Sequence, residues 1–186
     1  MTIICAARQG NAVAIASDTQ TTYGSAKLDT GPKWQRYGKW WLALAGNAHA
    51  NTALAAASVQ QAFADCGNPA MIAAIFASVL DEAGWAGGER DGEYVVPDRF
   101  DVEGLIVGPG GIFILTNNLA VLPGGNFAAA GIGAMAAYGV ASYFNSVSLA
   151  LATDPAYRVR SAVDAAMECV EACGGNAWTY QFDLPE

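Results

Sequence analysis

Threonine stands at position 2, directly behind the initiator methionine. Its small side chain predicts removal of Met1, which would leave Thr2 with a free α-amine. Such a residue holds a nucleophile and a base together. The hydroxyl attacks, and the amine, whose ordinary pKa is about 7.7–8.0, takes its proton. Asp18 closes the second strand of a predicted first hairpin, which returns it close to Thr2. Lys33 follows the Gly31-Pro32 turn. A cation beside the nucleophile lowers the pKa of both amine and hydroxyl, and an aspartate paired with that cation holds it charged. Gly46-Asn47 stands where a predicted strand meets a helix, and a backbone N–H there suits a developing oxyanion. Each residue also has a plainer reading. A Met-Thr start is common, Asp18 fits a turn, Lys33 fits a solvated side chain, and Gly46-Asn47 fits the first turn of a helix. His49 is the only histidine; it reads as a structural or pocket-edge residue rather than a catalytic one.

The elements that must position these residues follow from pattern and turn chemistry. Residues 2–8 and 12–17 read as two strands joined by Gln9-Gly10-Asn11. A short extended piece is predicted at 20–23, and Lys27 to Lys33 reads as loop. A second hairpin covers 34–37 and 40–45, with Gly38 in its turn. Helical patterns run over 48–65 and 69–84. The Gly-rich, charged stretch 86–99 reads as a flexible loop. Strands return at 102–107 and 111–116 around Gly108-Pro109-Gly110, with a third at 118–122. Phe127 to Gly131 reads as a lead-in to a helix over 133–146. A further helix covers 158–172, Gly174-Gly175 stops it, and 177–182 is a last strand. The order is strands, two helices, strands, two helices, strand. It lacks the strand–helix alternation of a doubly wound parallel sheet and suits two antiparallel sheets with helix layers outside.

Composition narrows the function classes. The chain of 186 residues is 53% hydrophobic and 14% charged, which fits one domain over residues 1–186 with a sizeable core. Nine basic residues against 17 acidic ones give a net charge of -8, which disfavours a nucleic-acid surface. A single imidazole makes a multi-histidine metal site or a Ser-His-Asp centre hard to assemble. Cys5, Cys66, Cys169 and Cys173 contain no C-x-x-C pair, so they read as small buried hydrophobes in a reducing compartment; Cys169 and Cys173 are expected on one face of the last helix. Residues 104–153 carry no charge, yet Gly-Pro-Gly-Gly, Asn-Asn and Pro-Gly-Gly interrupt every candidate membrane span. With no basic leader before an apolar run, a cytoplasmic protein without a membrane partner is expected. Gly131-Ile-Gly-Ala-Met-Ala136 matches a dinucleotide fingerprint, but it lacks the surrounding βαβ unit; its small residues also suit close packing of a helix on a sheet.

Taken together, these residues resemble the proteasome β-subunit and bacterial HslV-type proteases, the threonine branch of the N-terminal nucleophile hydrolases. Thr2-Ile-Ile-Cys-Ala-Ala-Arg with Gly10, then Ala-Ile-Ala-Ser-Asp18, is similar to the family opening. Lys33 falls at the family lysine, allowing one deleted residue after Gly24. Leu44-Ala45-Gly46 before an Ala-rich helix is similar to the oxyanion glycine segment. Gly131-Ile132-Gly133-Ala134 with Ala137-Tyr138-Gly139-Val140 is similar to a Gly-Ser-Gly-Ser … Ala-Tyr-Gly-Val run, and Cys173-Gly174-Gly175 stands at a Ser-Gly-Gly. The resemblance implies an α+β fold, a four-layer αββα sandwich. It implies a threonine peptidase acting on peptides or unfolded polypeptides, with Thr2 as nucleophile and base, Lys33 tuning the amine, Asp18 orienting Lys33, and Gly46 donating to the oxyanion. It also implies a homo-oligomeric ring, an ATP-driven unfoldase as a possible partner, and no metal or cofactor. Two positions depart from the family pattern: Ile132 replaces the serine beside the threonine amine, and Val170, with Glu171 next door, replaces an aspartate. Isoleucine makes no hydrogen bond there and predicts drier surroundings. These departures also suit a non-catalytic shell or scaffold subunit.

Overall fold

Ile4–Gln9 (β1) and Ala12–Ser17 (β2) form the first hairpin, turned at Gly10, whose φ of +60° an L side chain rarely adopts. The computed structural model describes residues 2–23, 25–46, 54, 57–82, 88–90, 93–95, 102–147 and 153–184. Neither strand of the hairpin alternates apolar with polar residues, because both of its faces are covered. Ile3, Cys5, Ala7, Ala14 and Ala16 face helices, while Ile4, Ala6, Val13 and Ile15 face a second sheet.

The first sheet has the order β12-β1-β2-β13, with β12 at Phe127–Ala130 and β13 at Trp178–Asp183. The second has the order β11-β10-β9-β6-β5. Its strands are Trp34–Tyr37 (β5), Trp40–Gly46 (β6), Val102–Gly108 (β9), Gly111–Leu115 (β10) and Val121–Gly125 (β11). All pairings are antiparallel. Helices Ala57–Ala64 (α1) and Pro69–Glu82 (α2) cover the second sheet through Phe63, Ile72, Phe76 and Leu80. Helices Ala134–Ser146 (α3) and Pro155–Cys169 (α4) cover the first through Ala137, Val159, Ala162, Val163 and Ala166. The order of layers is helix, sheet, sheet, helix: the αββα sandwich that the element order and the resemblance implied. Among the described residues, no helix is long and apolar enough to cross a membrane.

Several local readings change. The third strand, read at 118–122, lies at Val121–Gly125. Ala26–Asp29 (β4) is a strand, not loop, and pairs with Gln20–Tyr23 (β3). All four β4 residues are exposed, so no alternation marks it in the sequence. Gly88–Arg90 (β7) pairs with Glu93–Val95 (β8) inside the stretch read as a loop. Phe127–Ala130 is an edge strand of the first sheet, not a lead-in; its small residues carry no periodic signal. Finally, α4 starts three residues earlier than read, at Pro155 behind the N-cap Asp154, whose side chain accepts from Ala156 N. It ends at Cys169, so Cys169 is exposed and Cys173 lies buried beyond the helix rather than on one face with it. The predicted helix start at 48, with Asn47 and His49, lies outside the described residues.

The second sheet depends on one small residue. Trp40 is fully buried, and its indole N–H donates to Cys66 O at 2.9 Å. Its ring lies over Gly108, where an added Cβ would stand 2.3 Å from Cε3. Gly108→Ala is therefore expected to force the ring off its site and cost about 1–3 kcal/mol, measured by urea denaturation followed through tryptophan fluorescence.

Candidate active site

The first hairpin does what its spacing predicts. The register Ile4↔Ser17 sets the residues before β1 beside those after β2. There the Asp18 carboxylate, fully buried, accepts the Ile3 N–H at 3.0 Å through Oδ1, and Asp18 N donates to Ile3 O at 3.2 Å. Thr2, itself buried, is the next residue along. Lys33 arrives from just before β5, where its backbone N–H donates to Ser17 Oγ at 3.0 Å. Its ammonium donates to Asp18 Oδ1 at 2.9 Å, to Thr2 Oγ1 and to the Gln20 carbonyl. Burial holds the Lys33 pKa below its ordinary value, a shift that the charge and hydrogen bond of Asp18 offset only in part. Three of the residues proposed from sequence, Thr2, Asp18 and Lys33, thus meet in one hydrogen-bonded cluster.

Gly46 ends β6 with φ +111° and is exposed. It sits at the same end of the sandwich: Gly131 touches both its neighbour Ala45 and Thr2. A Cβ on Gly131 would stand 2.1 Å from Thr2 O and 3.3 Å from Ala45 Cβ, at a φ of +95°. Gly133 is as tightly held, with a Cβ there 2.9 Å from Ile3 Cβ and Ala166 Cβ and 3.1 Å from Cys173 Sγ. The glycines of this run therefore serve close packing against β1 and α4, and no open phosphate cradle forms around them. Among the described residues, no group of three or more His, Cys, Asp or Glu side chains could hold a metal.

Several groups here had no sequence signature. Gly174 N donates to Asp18 Oδ2 at 3.2 Å, and Gln20 N donates to Gly174 O at 3.0 Å. Asn176 N donates to Thr19 Oγ1 at 2.9 Å. Backbone donors carry no residue identity, so only the Cys-Gly-Gly run hinted at them. Glu103 is a second such group: its carboxylate accepts the Gly131 N–H at 2.8 Å. A faint signal existed, since it is the last charge before the uncharged stretch 104–153. The departures also take shape. Ile132 does not dry the site; its side chain is 54% exposed. Val170 packs against the α4 side of the core as the C-cap, and Glu171 points to solvent with its carbonyl accepting from Lys27 Nζ. Cys173 is buried near Lys33 and Asp18; burial, then the Asp18 charge, push its thiol up to about 11.

No family model and no curated protein matches the chain. Among solved structures, it is similar to Thiobacillus denitrificans BPH in complex with epoxomicin, with a TM-score of 0.77 and 24% identity over 100% of both chains. A second structure of Thiobacillus denitrificans BPH gives a TM-score of 0.76 and 25% identity over 99% of both. Eukaryotic HslV from Trypanosoma brucei gives 0.69 and 17%, covering 98% of this chain and 99% of that one. The fold is that of the HslV- and proteasome-like N-terminal nucleophile hydrolases.

Two outcomes follow from this geometry. Gly131→Ala is expected to displace the Thr2 carbonyl and to cost about 1–3 kcal/mol from its positive φ alone, read from thermal and chemical denaturation. The Cys173 thiol, at an ordinary value of 9.0 when unfolded and about 11 when folded, makes its own contribution to alkaline stability. That contribution is complete below about pH 9 and is lost as pH rises toward 11, because only the unfolded chain releases the proton there. Cys173→Ser lacks this titration, so denaturation from pH 8 to 11 should show wild-type stability falling relative to the variant.

Proposed function

We propose that the protein hydrolyses amide bonds in peptides or unfolded polypeptides, using Thr2 as an N-terminal nucleophile after loss of Met1. The observation that carries this reading is the Lys33 ammonium, paired with buried Asp18 and donating to Thr2 Oγ1. A fixed cation on a threonine hydroxyl stabilises the alkoxide character that develops during attack. It also disfavours protonation of a neighbouring α-amine, keeping that amine available as a base.

In the reaction, Thr2 Oγ1 attacks the carbonyl carbon and its proton passes to the α-amine. We assign the tetrahedral oxyanion to the end of β6, with the Gly46 N–H as its proposed donor. Collapse expels the leaving amine, which takes the proton, and leaves an ester on Thr2. Water, activated by the same amine, attacks the ester, releases the carboxylic acid product and restores the free hydroxyl. Asp18 holds Lys33 in place and accepts no proton. Assembly of copies of this chain into a ring, with an ATP-driven unfoldase as partner, belongs to the same proposal and rests on the sequence resemblance to HslV-type proteases.

A second reading, a non-catalytic shell or scaffold subunit, is favoured by one observation: Ile132 offers no hydroxyl where the family resemblance places a proton-relaying serine. Kinetics separate the two. A relay group of this kind is worth about 10²–10⁴-fold in rate, and a loss near the low end gives slow but real turnover. Fluorogenic peptide hydrolysis by the assembled protein is expected to be abolished by Thr2→Ala and raised by Ile132→Ser. If wild type and Thr2→Ala are equally inert, the scaffold reading replaces this one.

A further inference from the structure

Glu103 stands on β9 opposite Ala45 of β6. Its alternate neighbours Leu105 and Val107 belong to the core between the two sheets, and strand alternation puts Glu103 on that same face. A carboxylate in this layer loses hydration, which must be offset by hydrogen bonding. The offset comes from the other sheet: Gly131 N donates to Glu103 Oε1 at 2.8 Å. Gly131 directly follows β12 and lies against the Thr2 carbonyl, with no room there for a Cβ. Glu103 therefore ties the second sheet to the first at the end that carries Thr2, Lys33 and Gly46.

Gly131 O accepts the Ala134 N–H at 3.0 Å, which joins the turn to its own helix α3, whereas the Glu103 bond joins it to the second sheet. Ile132, the next residue, is half exposed and has no side-chain hydrogen-bonding group. On the opposite flank, Gly133 accepts the Ala137 N–H of α3 at 3.2 Å and packs against Ile3, Ala166 and Cys173. Thr2 sits on the first sheet, whereas Gly46 sits on the second. Their relative placement depends on how the two sheets are joined at this end. Lys33 joins them once, with its carbonyl accepting from Leu44 N of β6 and its ammonium donating to Thr2 and Asp18; where Gly131 meets Ala45, apolar packing of Ala45, Ala130 and Leu105 sets distance but not direction. A charge-assisted hydrogen bond is directional and roughly twice as strong as a neutral one.

We propose that Glu103 is a positioning residue: its carboxylate fixes the Gly131 turn against Thr2 and so sets Thr2 relative to the Gly46 edge of the other sheet. The kinetic half of this proposal rests on the hydrolase reading; the structural half does not. Glu103→Gln keeps an acceptor for Gly131 N–H, whereas Glu103→Ala removes it.

Both variants are compared with wild type as the full chain in its native assembly. The first readout is hydrogen exchange at the Gly131 amide, by NMR or mass spectrometry. Exchange is expected to accelerate about tenfold or more in Glu103→Ala, and to change by less than about threefold in Glu103→Gln. The second is peptide hydrolysis. The alanine variant is expected to lose about 10–10²-fold in kcat with KM nearly unchanged, since a misplaced nucleophile slows chemistry rather than binding. The glutamine variant should recover most of that loss. Unchanged Gly131 exchange in Glu103→Ala overturns the proposal, as do equal losses in both variants or a loss confined to KM. If wild type itself is inert, the hydrolase reading fails and Gly131 exchange alone decides the positioning claim. Should Glu103→Ala fail to assemble, Glu103→Asp, one methylene shorter, must accelerate exchange and lower kcat in its place.

Discussion

The Lys33–Asp18 ion pair is nearly removed from water, with the lysine side chain 9% exposed and the aspartate fully buried. Burying two such charges costs several kcal/mol per ion unless the remaining donors and acceptors are satisfied. Here they are satisfied by three separate parts of the chain. Asp18 takes the N–H groups of Ile3 and Gly174, and Lys33 gives hydrogen bonds to Thr2 and to the Gln20 carbonyl. The N-terminal strand, the Gly174 loop and the segment before β5 are thereby fixed relative to one another. Such a pair adds little net stability, yet it selects one arrangement, because any other leaves a buried charge without partners.

The sandwich supplies what this pair needs. A one-residue slip between β1 and β2 would turn Asp18 away from Ile3. The slip is opposed on both faces, since Cys5, Ala7, Ala14 and Ala16 belong to the helix-side core and Ile4, Ala6, Val13 and Ile15 to the inter-sheet core. The two halves of the protein differ in how they achieve this. The first sheet is rich in alanine: Ala7, Ala14, Ala16 and Ala129 face α3 and α4 and let them approach closely, while Ala6, Ala128 and Ala130 face the second sheet. The second is built from Trp40, Leu42 and Leu44 against Phe63 and Phe76. Backbone approaches backbone closely in both sheets, at Gly131 against Thr2 O and at Gly104 against Ala43 O.

The β1–β2 hairpin was readable because Gly10 punctuates two short apolar runs, and the strand length then brings Asp18 to the residue after Thr2. Lys33 was readable only as a residue type after a turn; nothing local says that its side chain points at Thr2 rather than into solvent. The strands β4 and β12 escaped because one is wholly exposed and the other is nearly all alanine, so neither has a period. Ile132 was misjudged for a related reason: the sequence gives its bulk but not its exposure, and more than half of it is open to solvent. The backbone carbonyl of Gln20 and the N–H of Gly174 complete the cluster without any side-chain signature. Glu103 lies far along the chain from Thr2, and only the pairing of β9 with β6 brings it to the site.

The central claim is that Thr2, freed of Met1 and held by Lys33, is a working nucleophile. It is tested most directly by intact-mass measurement of the native protein before and after incubation with a threonine-directed covalent inhibitor such as epoxomicin, with which the Thiobacillus denitrificans BPH structure was obtained. The account predicts a chain lacking Met1 that gains the mass of one inhibitor, and no gain in Thr2→Ala. Stoichiometric retention of Met1, or an unmodified wild-type chain, would contradict it.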